Sequence, residues 1–217
     1  MILDERLLAY IDSLDAGEEA FLEELRDDAQ KRDVPIIRRQ AQKFLAVVLQ
    51  MRRPQHILEI GTAIGYSSLF MASRLPESDI TTIELDPERA AEAKEHILSA
   101  GRQEQISVLT GDSAQLLPRL AEEGRQYDFI FLDAAKGQYI RLLPLLKDML
   151  VPGGVLVTDN VLQDGTIIDA RCLIERRDRT IYERVRDYNQ TVMHDPDLTS
   201  CLLAVGDGMT VSVKKDG

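Results

Sequence analysis

The first 53 residues carry apolar side chains at helical spacing. From Leu3 to about Arg53 these side chains recur every three or four residues, which is the period of one face of an α-helix. The pattern is interrupted at Val34-Pro35, because a residue that precedes proline disfavours the helical conformation. The spacing therefore predicts a helical segment over residues 1–53 that is broken near this proline.

From His56 onward, short apolar runs alternate with helical stretches. Runs of this kind are typical of buried parallel strands. Strands that alternate with helices imply right-handed crossovers and an open, doubly wound α/β sheet. The expected strands cover residues 56–60, 80–85, 106–109, 127–132 and 155–158, and the expected helices cover residues 67–74, 87–100, 113–123, 138–150 and about 175–193.

The C-terminal part of the chain carries a hairpin pattern. Apolar runs at residues 199–205 and 209–213 flank Gly206-Asp207-Gly208, and two such runs around a glycine-rich turn predict a β-hairpin. We interpret the Gly-Asp-Gly sequence itself as turn chemistry.

Composition supports one globular domain over residues 1–217. With 44% hydrophobic and 29% charged residues, the chain can bury a sizeable core. We expect a Rossmann-like α/β core over residues 54–217, mostly parallel with a C-terminal antiparallel hairpin strand, preceded by the helical segment. Acids near the N-terminus and the lack of an apolar run of about 20 residues favour a cytoplasmic protein without a membrane span. Cys172 and Cys201 lack zinc-ligand spacing and are expected to be reduced.

A formal net charge of −11 argues against broad, nonspecific binding of nucleic acid, because that binding needs a basic face. A local basic patch is still compatible with this charge. Arginines are concentrated between residues 171 and 186, and a smaller basic group lies between residues 38 and 53. Such groups also occur on solvated helix faces of proteins that bind no nucleic acid.

A glycine-bearing loop follows the first expected strand. The sequence from Glu59 through Gly61 and Gly65 to Ser67 joins that strand to a helix, at the position where open α/β sheets bind nucleotides. The two glycines permit close approach of the backbone to a ligand. They would also suit an ordinary tight turn. The residues at the ends of the neighbouring strands are therefore needed to choose between these two interpretations.

Acidic residues at the strand ends favour S-adenosylmethionine as that ligand. Glu84 ends the second expected strand, where its carboxylate can accept both ribose hydroxyls of NAD or S-adenosylmethionine, and Asp112 follows the third. The glycine spacing lacks the G-x-G-x-x-G that brings a helix N-terminus against a diphosphate. Together with Glu59 and Asp133, these acids would tolerate a sulfonium cation and repel a diphosphate. We therefore expect S-adenosylmethionine rather than a dinucleotide.

Polar residues end two strands that the usual winding makes neighbours. Asp133 follows the fourth expected strand, and Asp159-Asn160 follow the fifth. Neighbouring strands lie about 4.8 Å apart, so these side chains should converge at one edge of the sheet. Either acid alone could simply cap the next helix, but two carboxylates and an amide together suit Mg²⁺ or another hard cation. The sequence therefore predicts a metal site.

Lys136 lies three residues after the first of these acids. A cation and partial burial nearby would lower the pKa of an ammonium group, so this lysine is a candidate general base. Other chemistries are poorly supported. Gly111-Asp-Ser113 lacks the second glycine of a nucleophile elbow, and the three histidines form no ligand or triad spacing.

With these residues in place, the chain resembles the metal-dependent O-methyltransferases that include catechol and caffeoyl-CoA O-methyltransferases. The resemblance runs from about Leu3 to Lys215. It implies that Asp133, Asp159 and Asn160 are metal ligands and that Lys136 is the catalytic base. The cofactor contacts that it implies are Glu59, Gly61, Gly65, Ser67, Glu84, Asp112, Ser113 and Asp133.

A closer resemblance is to the bacterial tRNA 5-hydroxyuridine methyltransferases. The sequence blocks that carry it are Val34-Pro-Ile36, Ile57 to Ser67, Asp133-Ala-Ala-Lys-Gly-Gln-Tyr139, Thr158-Asp-Asn-Val-Leu162 and Val205-Gly-Asp-Gly208. The implied reaction is methylation of the 5-hydroxyl of wobble 5-hydroxyuridine, which gives 5-methoxyuridine.

This closer resemblance also implies particular contacts and partners. The backbone near Ile37 would touch the cofactor, and the tRNA anticodon loop would be the partner. The wider family resemblance implies a homodimer formed through the N-terminal helices. The expected RNA contacts are Arg38, Arg39, Arg171, Arg176, Arg177 and Arg179.

Two other functions fit the same residues. The acidic chain could methylate small catechol-like or CoA-ester substrates with two adjacent oxygens, in which case the arginines are surface charge. It could also be a noncatalytic module that binds S-adenosylmethionine, since a fold does not fix a function. The intact set of Asp133, Asp159, Asn160 and Lys136 argues against the module.

Overall fold

A computed structural model of the protein describes residues 5–216, and the predicted helical residue Leu3 lies outside this range. The helices are α1 Glu5–Ser13, α2 Ala20–Lys31, α3 Arg39–Arg52, α4 Tyr66–Arg74, α5 Pro87–Ser99, α6 Ser113–Glu122, α7 Tyr139–Met149 and α8 Arg179–His194. The strands are β1 His56–Ile60, β2 Asp79–Glu84, β3 Ile106–Thr110, β4 Tyr127–Leu132, β5 Leu150–Thr158, β6 Leu198–Leu203 and β7 Met209–Lys214. Short 3₁₀ helices cover Lys136–Gln138 and Gln163–Ile168.

Within the described residues, seven strands form one sheet in the order β3-β2-β1-β4-β5-β7-β6. The strands β1 to β5 pair in parallel, β7 runs antiparallel to β5, and β6 runs antiparallel to β7. The strand order reverses between β1 and β4, which is where open sheets of this kind bind ligands. The predicted doubly wound α/β fold, with its C-terminal hairpin and N-terminal helices, is confirmed.

Helices cover both faces of the sheet because neighbouring side chains of a strand point to opposite faces. In β4, Phe129 and Phe131 belong to the core beneath α2, α3 and α4, whereas Ile130 and Leu132 belong to the core beneath α6, α7 and α8. All four side chains are fully buried. Two apolar cores therefore hold the sheet and fix the positions of its strand ends.

Two predicted elements begin four or five residues away from their observed starts. The strand β5 begins at Leu150, whereas the sequence predicted a start at residue 155, because proline and glycine in Pro152-Gly153-Gly154 usually end a strand. The pairing of β4 and β5 shifts register between Tyr127 and Phe129, which accommodates this stretch. The helix α8 begins at Arg179 rather than near residue 175, since the preceding residues form a turn closed by a 2.9 Å hydrogen bond from the Asp178 N–H to the Glu175 carbonyl.

Candidate active site

A cavity of about 710 Å³ lies at the carboxyl ends of β1 to β5. Its walls come from the loops that follow these strands and from residues 35–38, which connect α2 to α3. Parallel strands present their carboxyl ends along one edge of the sheet, so loops that are distant in sequence meet here. The cavity has the position expected for the predicted cofactor.

Most of the residues predicted for the cofactor and the metal line this cavity. The two exceptions among the cofactor residues are Glu59 and Gly65, which lie outside the cavity wall, and the contacts predicted for them remain predictions. The predicted residues in the wall are Ile37, Arg38, Gly61, Ser67, Glu84, Asp112, Ser113, Asp133, Asp159 and Asn160.

Gly61 holds two walls of the cavity in close contact. Its φ angle is +104°, and a Cβ atom placed on it would lie 2.0 Å from the carbonyl oxygen of Asp133. Only glycine combines this backbone conformation with so close an approach. The loop after β1 can therefore pack directly against the loop after β4.

The carboxylate of Glu84 is held in place by two backbone N–H donors. One carboxylate oxygen accepts the N–H of Ala63 at 2.8 Å, and the other accepts the N–H of Asp86 at 2.9 Å. Each carboxylate oxygen has a second lone pair, so this side chain retains capacity to accept hydroxyl groups of a ligand. Asp112 caps α6 by accepting the N–H of Ala114 at 2.9 Å.

Glu59 lies beneath the cavity in the fully buried part of the sheet. Its Oε2 accepts the hydroxyl of Thr82 at 2.6 Å and the hydroxyl of Ser68. Its Oε1 is buried and has no hydrogen-bond partner among the described residues. Burial raises the pKa of Glu59 to about 7, although hydroxyl donors oppose the rise. This side chain thus connects β1 to α4 and to β2 through hydrogen bonds.

The three predicted metal ligands converge. Leu132 pairs with Thr158 in the sheet, so Asp133 and Asp159, which follow these residues, leave adjacent strands at the same level. The Asn160 side-chain N–H donates to Oδ1 of Asp133 at 2.7 Å, and the Asn160 backbone N–H donates to Oδ1 of Asp159 at 2.7 Å. The sequence expectation that these side chains meet is therefore confirmed, while their role as ligands remains a prediction.

The electrostatics of this group favour a cation. Burial raises the pKa of Asp133. The pKa of Asp159 is raised to about 7, mainly by burial and to a smaller extent by the negative charge of Asp133. Two buried carboxyl groups of this kind repel each other when both are ionised, and a proton or a metal ion relieves the repulsion. The donor set of two carboxylates and one amide consequently fits a hard divalent cation.

Lys136 lies outside the cavity wall, but it is near enough to Asp133 for its positive charge to oppose the rise in the pKa of that carboxyl. It contacts a residue whose role the sequence did not indicate. Its Nζ donates to Oδ2 of Asp207 at 3.0 Å. Asp207, which is only 3% exposed, also accepts the backbone N–H of Asp164. The predicted turn exists at Gly206-Asp207-Gly208, but its carboxylate additionally faces the candidate site. Nothing in the local pattern could have signalled this contact between distant segments.

The predicted RNA-binding arginines do not form one cluster. Arg38 lines the cavity and pairs with Asp164 at 2.8 Å. Arg39 instead faces a separate groove between α1 and α3, where it pairs with Asp15 and Glu23.

Three of the remaining predicted arginines lie on the segment that leads into α8, and the fourth, Arg179, is the first residue of that helix. Arg171, Arg176 and Arg177 are exposed, and Arg179 is half-buried. The helix α8 lies next to the 3₁₀ helix that carries Lys136. Arg184 of α8 donates a hydrogen bond to the carbonyl of Gly137 in that 3₁₀ helix at 3.3 Å. The helix that follows these exposed arginines therefore packs beside the 3₁₀ helix of Lys136.

Two features are absent from the residues that the structure describes. No group of three or more His, Cys, Asp and Glu side chains in residues 5–216 is arranged to hold a metal ion, and the predicted set contains only two such residues with Asn160. Within the same range, no helix combines the length and the apolar character that a membrane span requires.

Known proteins resemble this chain over most of its length. Residues 12–215 match the O-methyltransferase family. The catechol O-methyltransferase of Niastella koreensis is 40% identical over 129 residues, which are 58% of this chain and 58% of that protein. Caffeoyl-CoA O-methyltransferase 2 of Populus trichocarpa is 30% identical over 197 residues, which are 88% of this chain and 80% of that protein.

A solved structure supports the same conclusion. The O-methyltransferase of Bacillus cereus, determined in complex with S-adenosylhomocysteine, superposes with a TM-score of 0.84 and 25% sequence identity, and the match covers 95% of this chain and 96% of that one. Together with the cavity at the strand ends, these matches define an S-adenosylmethionine-dependent O-methyltransferase. The chain belongs to the O-methyltransferase family, of the catechol and caffeoyl-CoA type.

Proposed function

We propose that this protein methylates the 5-hydroxyl of wobble 5-hydroxyuridine in tRNA and that a hard divalent cation such as Mg²⁺ is required. The observation that carries the proposal is the convergence of Asp133, Asp159 and Asn160 at the cofactor cavity, with Lys136 beside them. This arrangement favours an acceptor that offers two adjacent oxygens to one metal ion. In 5-hydroxyuridine these oxygens are the 5-hydroxyl and the neighbouring carbonyl.

The buried acids give the physical reason for a cation. Asp133 and Asp159 lie where burial opposes ionisation of both groups, and the amide of Asn160 adds a neutral oxygen donor. When bound, a divalent cation acts as a Lewis acid that lowers the pKa of an acceptor hydroxyl. Carboxylate and amide oxygens are the ligands that Mg²⁺ prefers.

The protein's own side chains bind the cofactor and move the proton. Glu84, in the cavity wall, would accept hydroxyls of the cofactor ribose, and the cavity walls would hold the cofactor in one orientation toward the acceptor. Holding both reactants in an aligned arrangement removes much of the entropic cost of the reaction. Lys136 in its neutral amine form would take the hydroxyl proton on Nζ as general base, while one N–H of that nitrogen still donates to Asp207. The oxygen that has lost this proton would accept the methyl group, and S-adenosylhomocysteine would be the leaving product.

The exposed arginines supply the argument for tRNA. Arg171 and Arg177 pair with acids on exposed side chains, and exposed pairs of this kind contribute only about 0–1 kcal/mol, so phosphates can replace the acids. Arg176 forms no ion pair within the described residues. An anticodon loop presents unpaired bases, so no duplex has to be opened.

The similarity to known enzymes favours a second candidate. The relatives described above are called catechol and caffeoyl-CoA O-methyltransferases, and both names denote small acceptors with adjacent oxygens. The same metal site would serve such substrates. The difference between the two candidates lies in the acceptor and not in the chemistry.

One experiment separates these functions. Purified protein is incubated with methyl-labelled S-adenosylmethionine, Mg²⁺ and one of three acceptors: tRNA that carries 5-hydroxyuridine, catechol or caffeoyl-CoA. We expect label in the tRNA, with 5-methoxyuridine as the product nucleoside. Label in catechol or caffeoyl-CoA alone would overturn the tRNA proposal and retain the reaction class. Cofactor binding without transfer to any acceptor would favour a noncatalytic module.

A matched pair of variants tests the arginines. Replacement of Arg171, Arg176 and Arg177 by Gln should raise the KM for tRNA, and transfer to tRNA should become less sensitive to salt, because each phosphate contact contributes to the salt dependence. The control replaces three exposed arginines at or near the opposite end of the sheet, Arg53, Arg119 and Arg125. Equal effects of the two triple variants would contradict a local RNA contact.

We also propose that two copies of the chain form a homodimer through the N-terminal helices. Tyr10 and Leu14 of the α1 region and Val47 and Met51 of α3 are largely exposed apolar side chains, which a second copy would remove from water. Sedimentation of the purified protein should give the mass of two chains. A monomer at micromolar concentration would contradict this proposal.

A further inference from the structure

Arg26 is a buried cation on α2 that contacts two walls of the cofactor cavity. Only 3% of the residue is exposed. Its Nε and Nη2 donate to the Tyr66 hydroxyl at 3.1 and 2.9 Å, and Nη2 donates to the Ile37 carbonyl oxygen at 3.2 Å. It also donates to the side-chain oxygen of Gln42. Ile37 and Tyr66 both line the cavity.

The burial of this guanidinium group lowers the stability that the fold would otherwise have. Within the described residues no carboxylate forms an ion pair with Arg26, although the pKa of Glu23 is lowered chiefly by Arg39 and to a smaller extent by the charge of Arg26. A buried charge without a directly bonded counter-charge carries a large desolvation cost. The Gln42 side-chain nitrogen is also buried without a hydrogen-bond partner among those residues. Apolar side chains of similar volume would fill this space at a lower cost in free energy, so we expect the guanidinium group to serve a purpose other than stability.

The contacts of Arg26 join two segments that would otherwise be independent. Residues 34–38 have no helical or strand structure, so the backbone there depends on individual contacts. Tyr66 begins α4 directly after Gly65 and donates its hydroxyl to Gln42 Oε1 at 3.1 Å. The planar guanidinium can donate in several fixed directions at once, which a lysine ammonium on a flexible stem does less well.

We propose that Arg26 is a positioning residue for S-adenosylmethionine. It fixes the Ile37 carbonyl and the Tyr66 ring before the cofactor arrives, so that both cavity walls are already in their binding arrangement. Preorganised walls strengthen binding because less conformational entropy is lost when the ligand binds. Arg26 itself does not line the cavity, and it acts through the two residues that do.

The test measures cofactor binding without metal or acceptor, so its outcome is independent of the proposed tRNA substrate and cation. Arg26→Met preserves the apolar length of the side chain and removes its donors. We expect the Kd for S-adenosylmethionine, measured by calorimetry, to rise roughly tenfold. Arg26→Lys should restore part of the affinity, and Tyr66→Phe, which removes one hydroxyl, should weaken binding in the same direction.

The control is Arg32→Met, at the residue that directly follows the same helix. Arg32 is exposed and pairs with Asp28 and Glu92, so its loss should leave the Kd unchanged. An unchanged Kd in folded Arg26→Met would overturn the proposal, and so would an equal loss of affinity in Arg32→Met.

Hydrogen exchange separates positioning from general destabilisation. In the cofactor-free Arg26→Met protein, the amides of residues 36–38 should exchange faster, while those of the central strands β1 and β4 keep their protection. Faster exchange throughout the sheet would indicate a merely structural role and would overturn the proposal. Tyr66→Phe provides the same comparison with a smaller change if Arg26→Met folds poorly.

Discussion

Lys136 Nζ lies 3.0 Å from Oδ2 of Asp207, a carboxylate that is almost completely buried in the turn between β6 and β7. The other oxygen of Asp207 accepts the backbone N–H of Asp164. One carboxylate thus connects Lys136 to the loop after β5. It determines where the candidate base stands relative to the strand-end acids.

Asp207→Asn should reduce catalysis more than cofactor binding. The substitution keeps the volume of the side chain and removes the charge that holds Lys136, so we expect kcat to fall about 10- to 100-fold, as for supporting residues of other sites. The KM for S-adenosylmethionine should stay the same, and steady-state kinetics measures both values. The control is Asp197→Asn, because Asp197 is an exposed partner of Lys147. A normal kcat in Asp207→Asn would argue against this positioning role.

Cation binding should depend on pH through Asp159. The pKa of this carboxyl is raised to about 7, so below that value a bound cation must displace a proton. We expect the affinity for Mg²⁺ to fall by roughly tenfold per pH unit between pH 7 and 5, because binding is linked to the release of one proton. Calorimetric titration at several pH values measures this slope. An affinity that does not change over this range would contradict the assignment.

The cation-free protein should lose stability as the pH rises from about 5 to 8. The folded pKa of Glu59 is about 7, above its ordinary value of 4.5, so its contribution to stability is fully present below about pH 4.5 and is lost as the pH rises through 7. Glu59→Gln removes this titration and should flatten the dependence of Tm on pH. Exposed Glu122→Gln serves as the control. The prediction fails if Glu59→Gln and the unmodified protein show the same slope.

Gly61→Ala should damage both the fold and the cofactor cavity. A methyl group there would overlap the Asp133 carbonyl oxygen in a left-handed backbone conformation. We expect the free energy of unfolding to fall by about 3 kcal/mol, the sum of overpacking and backbone strain. Gly124→Ala isolates the backbone contribution, because Gly124 has a φ of +73° and nothing lies within 4 Å of the added atom. This substitution should lower the free energy of unfolding by about 1 kcal/mol. Urea unfolding measures both, and equal losses would contradict the close contact.

The sequence predicted the strand ends well because short-range patterns determine them. The apolar runs of β1 and β4 end where the structure ends them. Once β4 and β5 are neighbours, Asp133 must lie close to Asp159. The start of β5 was missed because Pro152 and the glycines after it resemble a turn in the sequence, whereas pairing with β4 and β7 decides the actual conformation.

Contacts between distant segments could not be predicted in the same way. Asp207 lies 71 positions from Lys136, and a Gly-Asp-Gly turn gives no sign of which side chain its carboxylate meets. Arg26 looks like an ordinary polar position of a helix, yet it is buried against Tyr66, 40 positions away. Such pairs depend on how helices pack on the sheet, and that packing leaves no local pattern in the sequence.

The most direct test of the central claim is the metal dependence of methyl transfer. Protein treated with EDTA and then freed of chelator is assayed with labelled S-adenosylmethionine and 5-hydroxyuridine-bearing tRNA, catechol or caffeoyl-CoA, before and after addition of Mg²⁺. We predict that the metal-free protein transfers no label to any of these acceptors. Mg²⁺ should restore transfer to the acceptor that the protein uses, both in the unmodified protein and in the control Asp148→Asn, whose side chain is exposed. It should not restore transfer in Asp159→Asn. Full transfer by the metal-free protein, or full restoration in Asp159→Asn, would contradict the account.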